Sequence, residues 1–133
     1  MDNVEAPALQ VLRLGIVKIR VANMETALQF YKGILGFQEE EVQMLSPGIS
    51  LKAGQASIYL SELEEPYEPL EREFGTYPEI SLCFIVQGVR AVYDRCLAAG
   101  VTIAGDYDQP GEHFATLQLA DPDRNVVELW GNP

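Results

Sequence analysis

The sequence is poor in the residues that most often build catalytic metal and redox centres. It has two cysteines, one histidine and one tryptophan in 133 residues. Two cysteines, Cys83 and Cys96, give neither a disulfide framework nor a zinc pattern, and each falls in an apolar stretch where a free thiol behaves as a small hydrophobe. A lone histidine, His113, excludes the His clusters on which most catalytic zinc and iron sites are built. Positive charge is scarce as well: nine Lys and Arg stand against twenty Asp and Glu, a net charge of −11. That balance argues against nucleic acid, whose phosphates need a basic surface. No apolar run approaches the ~20 residues of a membrane-spanning helix, and residues 1–12 carry acids without a basic leader, so a cytoplasmic protein with no membrane partner is expected.

What is present reads as one domain over residues 1–133. Leu14 to Val21 alternates, with Val17, Ile19 and Val21 on one face and Ile16, Lys18 and Arg20 on the other, which predicts a first strand. Asn23 offers a helix N-cap; Met24, Ala27, Leu28, Tyr31, Ile34 and Leu35 recur at helical spacing until Gly36. Short strands are predicted over 37–43, 49–52 and 56–60, around a Ser46-Pro47-Gly48 turn. The pattern then breaks into an acidic connector over 62–78, with a helical turn predicted near Leu70 to Phe74 and Tyr67, Phe74 and Tyr77 placed to pin it or line a rim.

The first half then repeats. A strand over 79–86 is followed by a helix with Val89, Val92, Tyr93, Cys96 and Leu97 on one stripe, a stop at Gly100, and short strands over 101–104, 115–119 and 126–130. A βαβββ unit therefore occurs twice, about 65 residues apart, with module bounds near 12–61 and 79–131. In the last hairpin, Asp121-Pro122-Asp123-Arg124-Asn125 concentrates turn chemistry, and either Arg124 or Asn125 must take any left-handed conformation, Asn being the more tolerant. The strand after it, Val126 to Trp130, carries the lone carboxylate Glu128, aimed opposite to Val127 and Leu129.

Three segments, in order, resemble the vicinal oxygen chelate superfamily of glyoxalases, bleomycin-resistance proteins and extradiol dioxygenases. They are Ala27 to Phe37 (ALQFYKGILGF), Leu97 to Val101 (LAAGV) and Asp121 to Leu129 (DPDRNVVEL). The resemblance covers the chain from Leu14 onward and implies an α+β fold, two βαβββ modules forming an open β-cup in which ligands bind, and a homodimer. The family's metal-ligand positions carry over to Ile16, Tyr59, Ser81 and Glu128, of which only Glu128 keeps a typical ligand. No metal and no cofactor are therefore expected. A divalent ion needs three or more good donors, and a neutral Tyr, a neutral Ser and an Ile do not provide them.

By strand phase the cup is expected to be lined by Lys18, Arg20, Tyr59, Ser81, Cys83, Glu128 and Trp130, with the facing residues of the 115–119 strand undecided. The leading expectation is a metal-independent protein that binds a small organic molecule, in the manner of antibiotic or metabolite sequestration. Glu128 and the acidic surface point to a planar or cationic ligand; Lys18 and Arg20 point the other way. The alternative is a lyase, isomerase or dioxygenase-type enzyme acting on a small oxygenated substrate, with Glu128 as base or metal ligand and Tyr59 or Lys18 stabilising an enolate-like oxygen. A structural or protein-interaction module would require a cup filled by its own side chains. His113, just before a strand, is expected at the cup's mouth in an exposed loop.

Overall fold

The computed structural model describes residues 9–63 and 80–133. The connector's predicted helical turn, and Tyr67, Phe74 and Tyr77, lie outside them. The first module runs β1 (Val17–Val21), α1 (Met24–Leu28, continued as a π-helical segment Gln29–Ile34), β2 (Gln38–Glu39), β3 (Ile49–Ala53) and β4 (Ala56–Glu62). The second runs β5 (Leu82–Val86), α2 (Val89–Ala99), β6 (Ile103–Gly111), β7 (Phe114–Ala120) and β8 (Val126–Gly131). Each module folds one four-stranded mixed sheet, in the orders β1-β4-β3-β2 and β5-β8-β7-β6. In both, the first and last strands are parallel and the remaining pairs antiparallel. This is the expected α+β architecture of two βαβββ units in an open cup, without a closed barrel.

Alternation decides which face each strand gives to the helices. Ile19, Val21, Leu51, Ile58 and Leu60 from the first sheet, and Leu117, Leu119, Val127 and Leu129 from the second, join Ala27, Phe30, Tyr31, Val89 and Cys96 of the helices in a single buried cluster. One apolar core thus runs through both modules and leaves each sheet's opposite face outside it. Phe37, just after the first helix, packs edge-on against Phe84 of β5 at 5.1 Å between ring centroids, which ties the modules together at the core.

The helix ends follow the sequence signals. Asn23 Oδ1 accepts from the Thr26 N–H at 3.0 Å, and Gly36 and Gly100 end their helices with φ of 78° and 72°. Three features depart from expectation. The second half of the first helix is widened to a π-turn, with the Leu35 N–H donating to the Phe30 carbonyl five residues back at 3.0 Å. β2 is only two residues long, where a strand to Gln43 was expected. β6 is nine residues long rather than four, and its pairing with β7 holds through several register shifts.

Candidate functional site

β1 and β5 are each the edge strand of their sheet, paired on one side only. Between them lies a cavity of about 460 Å³ lined by Lys18, Arg20, Ser81 and Asn125 together with Val17, Ile19, Leu63, Ile80, Leu82 and Val126. Its walls therefore offer unpaired backbone groups of two strand edges, two cations and several apolar side chains. Leu63, at the start of the connector, and Ile80, just after it, stand at this cavity.

Lys18 and Arg20 both project from the exposed face of β1, opposite the buried Ile19 and Val21. Among the described residues neither forms an ion pair; those found are Lys32 to Glu39 at 3.0 Å, Arg90 to Asp94 at 3.4 Å and His113 to Glu112 at 3.8 Å. Ser81 immediately precedes β5 and lines the same cavity as the two cations, from the wall opposite β1.

Three of the other expected site residues, Cys83, Glu128 and Trp130, occupy the free face of the second sheet. Cys83 of β5 lies opposite Glu128 of β8, which in turn lies opposite Gln118 of β7. Two residues along on the same face, Ile85, Trp130 and Thr116 form the parallel row. The Trp130 Nε1–H donates to Glu128 Oε1 at 2.7 Å, and the indole meets Phe114 edge to face at 5.8 Å. Glu128 is thus held by a neighbour's indole. Partial burial, and secondarily the Glu128 charge, push the Cys83 thiol up, which keeps it protonated and a poor nucleophile.

Tyr59 differs in character from the rest. It pairs in register with Lys18 and Ser50, but it is only 7% exposed, and its hydroxyl accepts from the Gly48 N–H at 2.7 Å. The Ser46-Pro47-Gly48 turn lies against the tyrosine so closely that a Cβ on Gly48 would overlap the Leu60 carbonyl and the Tyr59 ring. The phenol is committed to holding that turn. His113 stands in the tight β6–β7 turn with its side chain 84% exposed. Strand phase did not identify Asn125, Val126, Leu63 and Ile80 at the cavity, or Gln118 beside Glu128; only the β7 register assigns the last.

The residues to which the resemblance carries the metal-ligand positions do not fit an ion. Ile16 has no donor atom, the Tyr59 hydroxyl is already engaged, and Ser81 is a weak neutral ligand. Among the described residues no three His, Cys, Asp or Glu side chains gather as a metal cluster.

The hairpin ahead of β8 does different work from the strand it feeds. Asp121 and Asp123 are 3% and 4% exposed. Asp121 Oδ1 accepts from the Asp123 and Asn125 N–H groups at 2.9 and 2.7 Å, and Oδ2 accepts from the Tyr31 hydroxyl at 2.7 Å and from Asn125 Nδ2 at 2.9 Å. Asp123 Oδ1 accepts from the Ala22 N–H, at the end of β1, at 3.0 Å. The two carboxylates latch the second module onto the first. Burial beside Asp121 pushes the Tyr31 hydroxyl far above its ordinary range, so it stays a donor at all physiological pH. Arg124 takes the left-handed conformation, at φ 65°, in place of the more tolerant Asn125. Asn125 is committed to Asp121 through both its backbone and its side-chain nitrogen, which leaves the turn's strained position to its neighbour. A larger cleft of about 610 Å³ on the helical side is bordered by Asp121, whose carboxylate is already fully bonded.

Burial pushes the Asp123 carboxyl up from the usual carboxylate value, the Ala22 N–H opposes this, and the Asp121 charge adds to the rise. A carboxyl whose pKa is raised on folding costs stability once ionised; the cost is absent below the unfolded-state value near 4 and complete above the folded-state one. Asp123→Asn keeps an acceptor for Ala22 and removes the charge. It is therefore expected to equal or exceed the parent's stability at pH 7, with the difference shrinking as pH falls. Urea unfolding at both ends of that range checks it; a clear loss at neutral pH would show that the charge itself is needed.

The model of the Glyoxalase/Bleomycin resistance protein/Dioxygenase superfamily matches residues 13–129. The chain is 25% identical to the virulence protein STM3117 of Salmonella typhimurium over 121 residues, 88% of this chain and 82% of that protein. The crystal structure of that protein superposes with a TM-score of 0.66, covering 92% of this chain and 98% of the other. The fosfomycin resistance protein FosX of Listeria monocytogenes, at 16% identity, superposes with a TM-score of 0.70 over 93% of this chain and 94% of its own, a likeness of fold. No helix among the described residues is long and apolar enough to cross a membrane. With its paired βαβββ modules, its DPDRN hairpin and a family match over nearly its whole length, the chain belongs to the glyoxalase/bleomycin resistance protein/dioxygenase superfamily.

Proposed function

We propose that this protein binds a small organic molecule without a metal, in the cavity where β1 and β5 meet. The observation that carries the reading is the cavity itself. At about 460 Å³ it is of ligand size, and its wall combines apolar side chains with a few polar groups, Lys18, Arg20 and Ser81. The positions that the resemblance assigns to metal ligands hold one good ligand, Glu128, two weak ones, Tyr59 and Ser81, and Ile16 with none, so the cup is better suited to holding a molecule than to activating it. Ile85, Phe114 and Trp130, exposed on the free face of the second sheet, extend the apolar lining or receive a second copy in a homodimer. Catalysis with Glu128 as base is the weaker reading, because the carboxylate accepts from Trp130 and forms no ion pair among the described residues that would mark a neighbouring electrophile. Calorimetric titration of chelator-stripped protein with aryl and alkyl carboxylates, amides and amines tests the proposal. Heats of binding that survive chelation are expected; binding that appears only with a divalent metal would overturn it.

A further inference from the structure

We infer that the ligand of the β1–β5 cavity is an organic anion, its charged oxygens held by Lys18 and Arg20 and its apolar body lying against Val17, Ile19 and Leu82. This rests on the cavity being the binding site, and names the chemical class it takes.

Acidic side chains outnumber basic ones by twenty to nine in this chain, so a cation has carboxylates readily available to it. Lys32 and Arg90 have each found one, in Glu39 and Asp94. Lys18 and Arg20 have not, among the described residues; Arg13, Lys52 and Arg95 have not either, but of these only Lys18 and Arg20 share one strand face and one cavity. Two like charges side by side repel, and the sheet sets them only two residues apart. An anion in the cavity would relieve that repulsion and offer both cations a partner. Arg offers a planar fork and Lys a mobile point charge, so both can reach a single carboxylate or phosphonate head. The Ser81 hydroxyl adds a neutral donor on the facing wall. The negative charge of the chain as a whole does not oppose this at contact range, since charges beyond about 8 Å are screened at physiological ionic strength. Glu128, the feature that favours a cationic ligand, is not among the residues lining this cavity, and its carboxylate already accepts from Trp130.

The test uses four probes with one aryl body: phenylacetate, phenylphosphonate, phenylacetamide and phenethylamine. Backbone amide spectra of the full chain are followed at roughly physiological salt. The two anions should shift the amides of residues 17–20 and 81–82, and bind about tenfold or more tightly than the amide or the amine. Which anion binds better separates a carboxylate ligand from a phosphonate-like one. Lys18→Ala with Arg20→Ala should erase the preference while leaving the rest of the spectrum in place, and the charge-conserving exchange Lys18→Arg with Arg20→Lys should retain it. Equal or tighter binding of phenethylamine or phenylacetamide at the same amides, or an anion preference that survives the double alanine variant, overturns the anion assignment and leaves the binding cavity standing. Failure of every probe, whatever its charge, to move either strand overturns both.

Discussion

Asp121→Ala should cost about 3–5 kcal/mol of stability, enough to lower Tm by on the order of 10 °C. The side chain does not contact the proposed ligand cavity, yet it accepts four hydrogen bonds from a nearly sealed position, one from a residue 90 positions earlier in the sequence. Truncation strands the buried Tyr31 hydroxyl, a loss of roughly 1–3 kcal/mol by itself, and takes the acceptor from the half-buried Asn125 side-chain amide. It also frees the turn that launches β8. Asp121→Asn should be intermediate, because one amide oxygen cannot serve four donors and its NH₂ would face Asn125 Nδ2. Tyr31→Phe, which removes a single donor and leaves the carboxylate its three other bonds, should cost the least. Equilibrium unfolding of the three variants checks the order; an Asp121→Ala chain as stable as the parent would mean the hairpin does not latch the modules.

Gly131→Ala should be comparably damaging for a steric reason. Gly131 closes the parallel pairing of β8 with β5 opposite Val86, and a Cβ there would overlap the Val86 carbonyl oxygen and crowd its carbon. The obstacle is backbone rather than a side chain that could turn away, so the end of β8 must peel from β5. We expect a loss of roughly 2–4 kcal/mol. Because β5 and β8 carry Cys83, Glu128 and Trp130, the same variant should disturb the free face of the second sheet, read as a change in the fluorescence of Trp130, the only tryptophan. An alanine variant with parental stability and unchanged Trp130 emission would contradict this close approach of the two strands.

The contrast between hairpin and strand explains what could be read from the sequence. The periodicity that set Val17, Ile19 and Val21 against Lys18 and Arg20 is local, and the structure keeps it. The helix stops at Gly36 and Gly100 are local too, and so are the repeated modules. The latch was not legible, because Asp121 and Asp123 reach partners 90 and 101 residues away, and DPDRN reads on its own only as a turn. The same reason hid β6. Its IAGDYDQPG segment has Gly and Pro where a strand prefers branched residues, and only pairing with β7 draws it out to nine residues. Tyr59 shows the limit of phase as a guide: alternation gives the correct face, but the Gly48 turn that covers it comes from another strand connection.

The site shows the same division. Lys18, Arg20 and Ser81 could be named from phase, and they meet at one cavity. That the cavity lies between two strand edges, with Asn125 and Val126 at its border, depends on how the modules pack, which no single strand encodes.

In the proposed function the cup binds its ligand without a metal. Calorimetric titration tests it most directly, run with one probe on chelator-stripped protein and on protein loaded in turn with manganese, iron, nickel and zinc. Superimposable isotherms are the predicted result. A heat of binding that is absent from the stripped protein and restored by one of these ions would contradict the account, and would mean that Glu128 helps to hold a metal that Ile16, Tyr59 and Ser81 cannot hold.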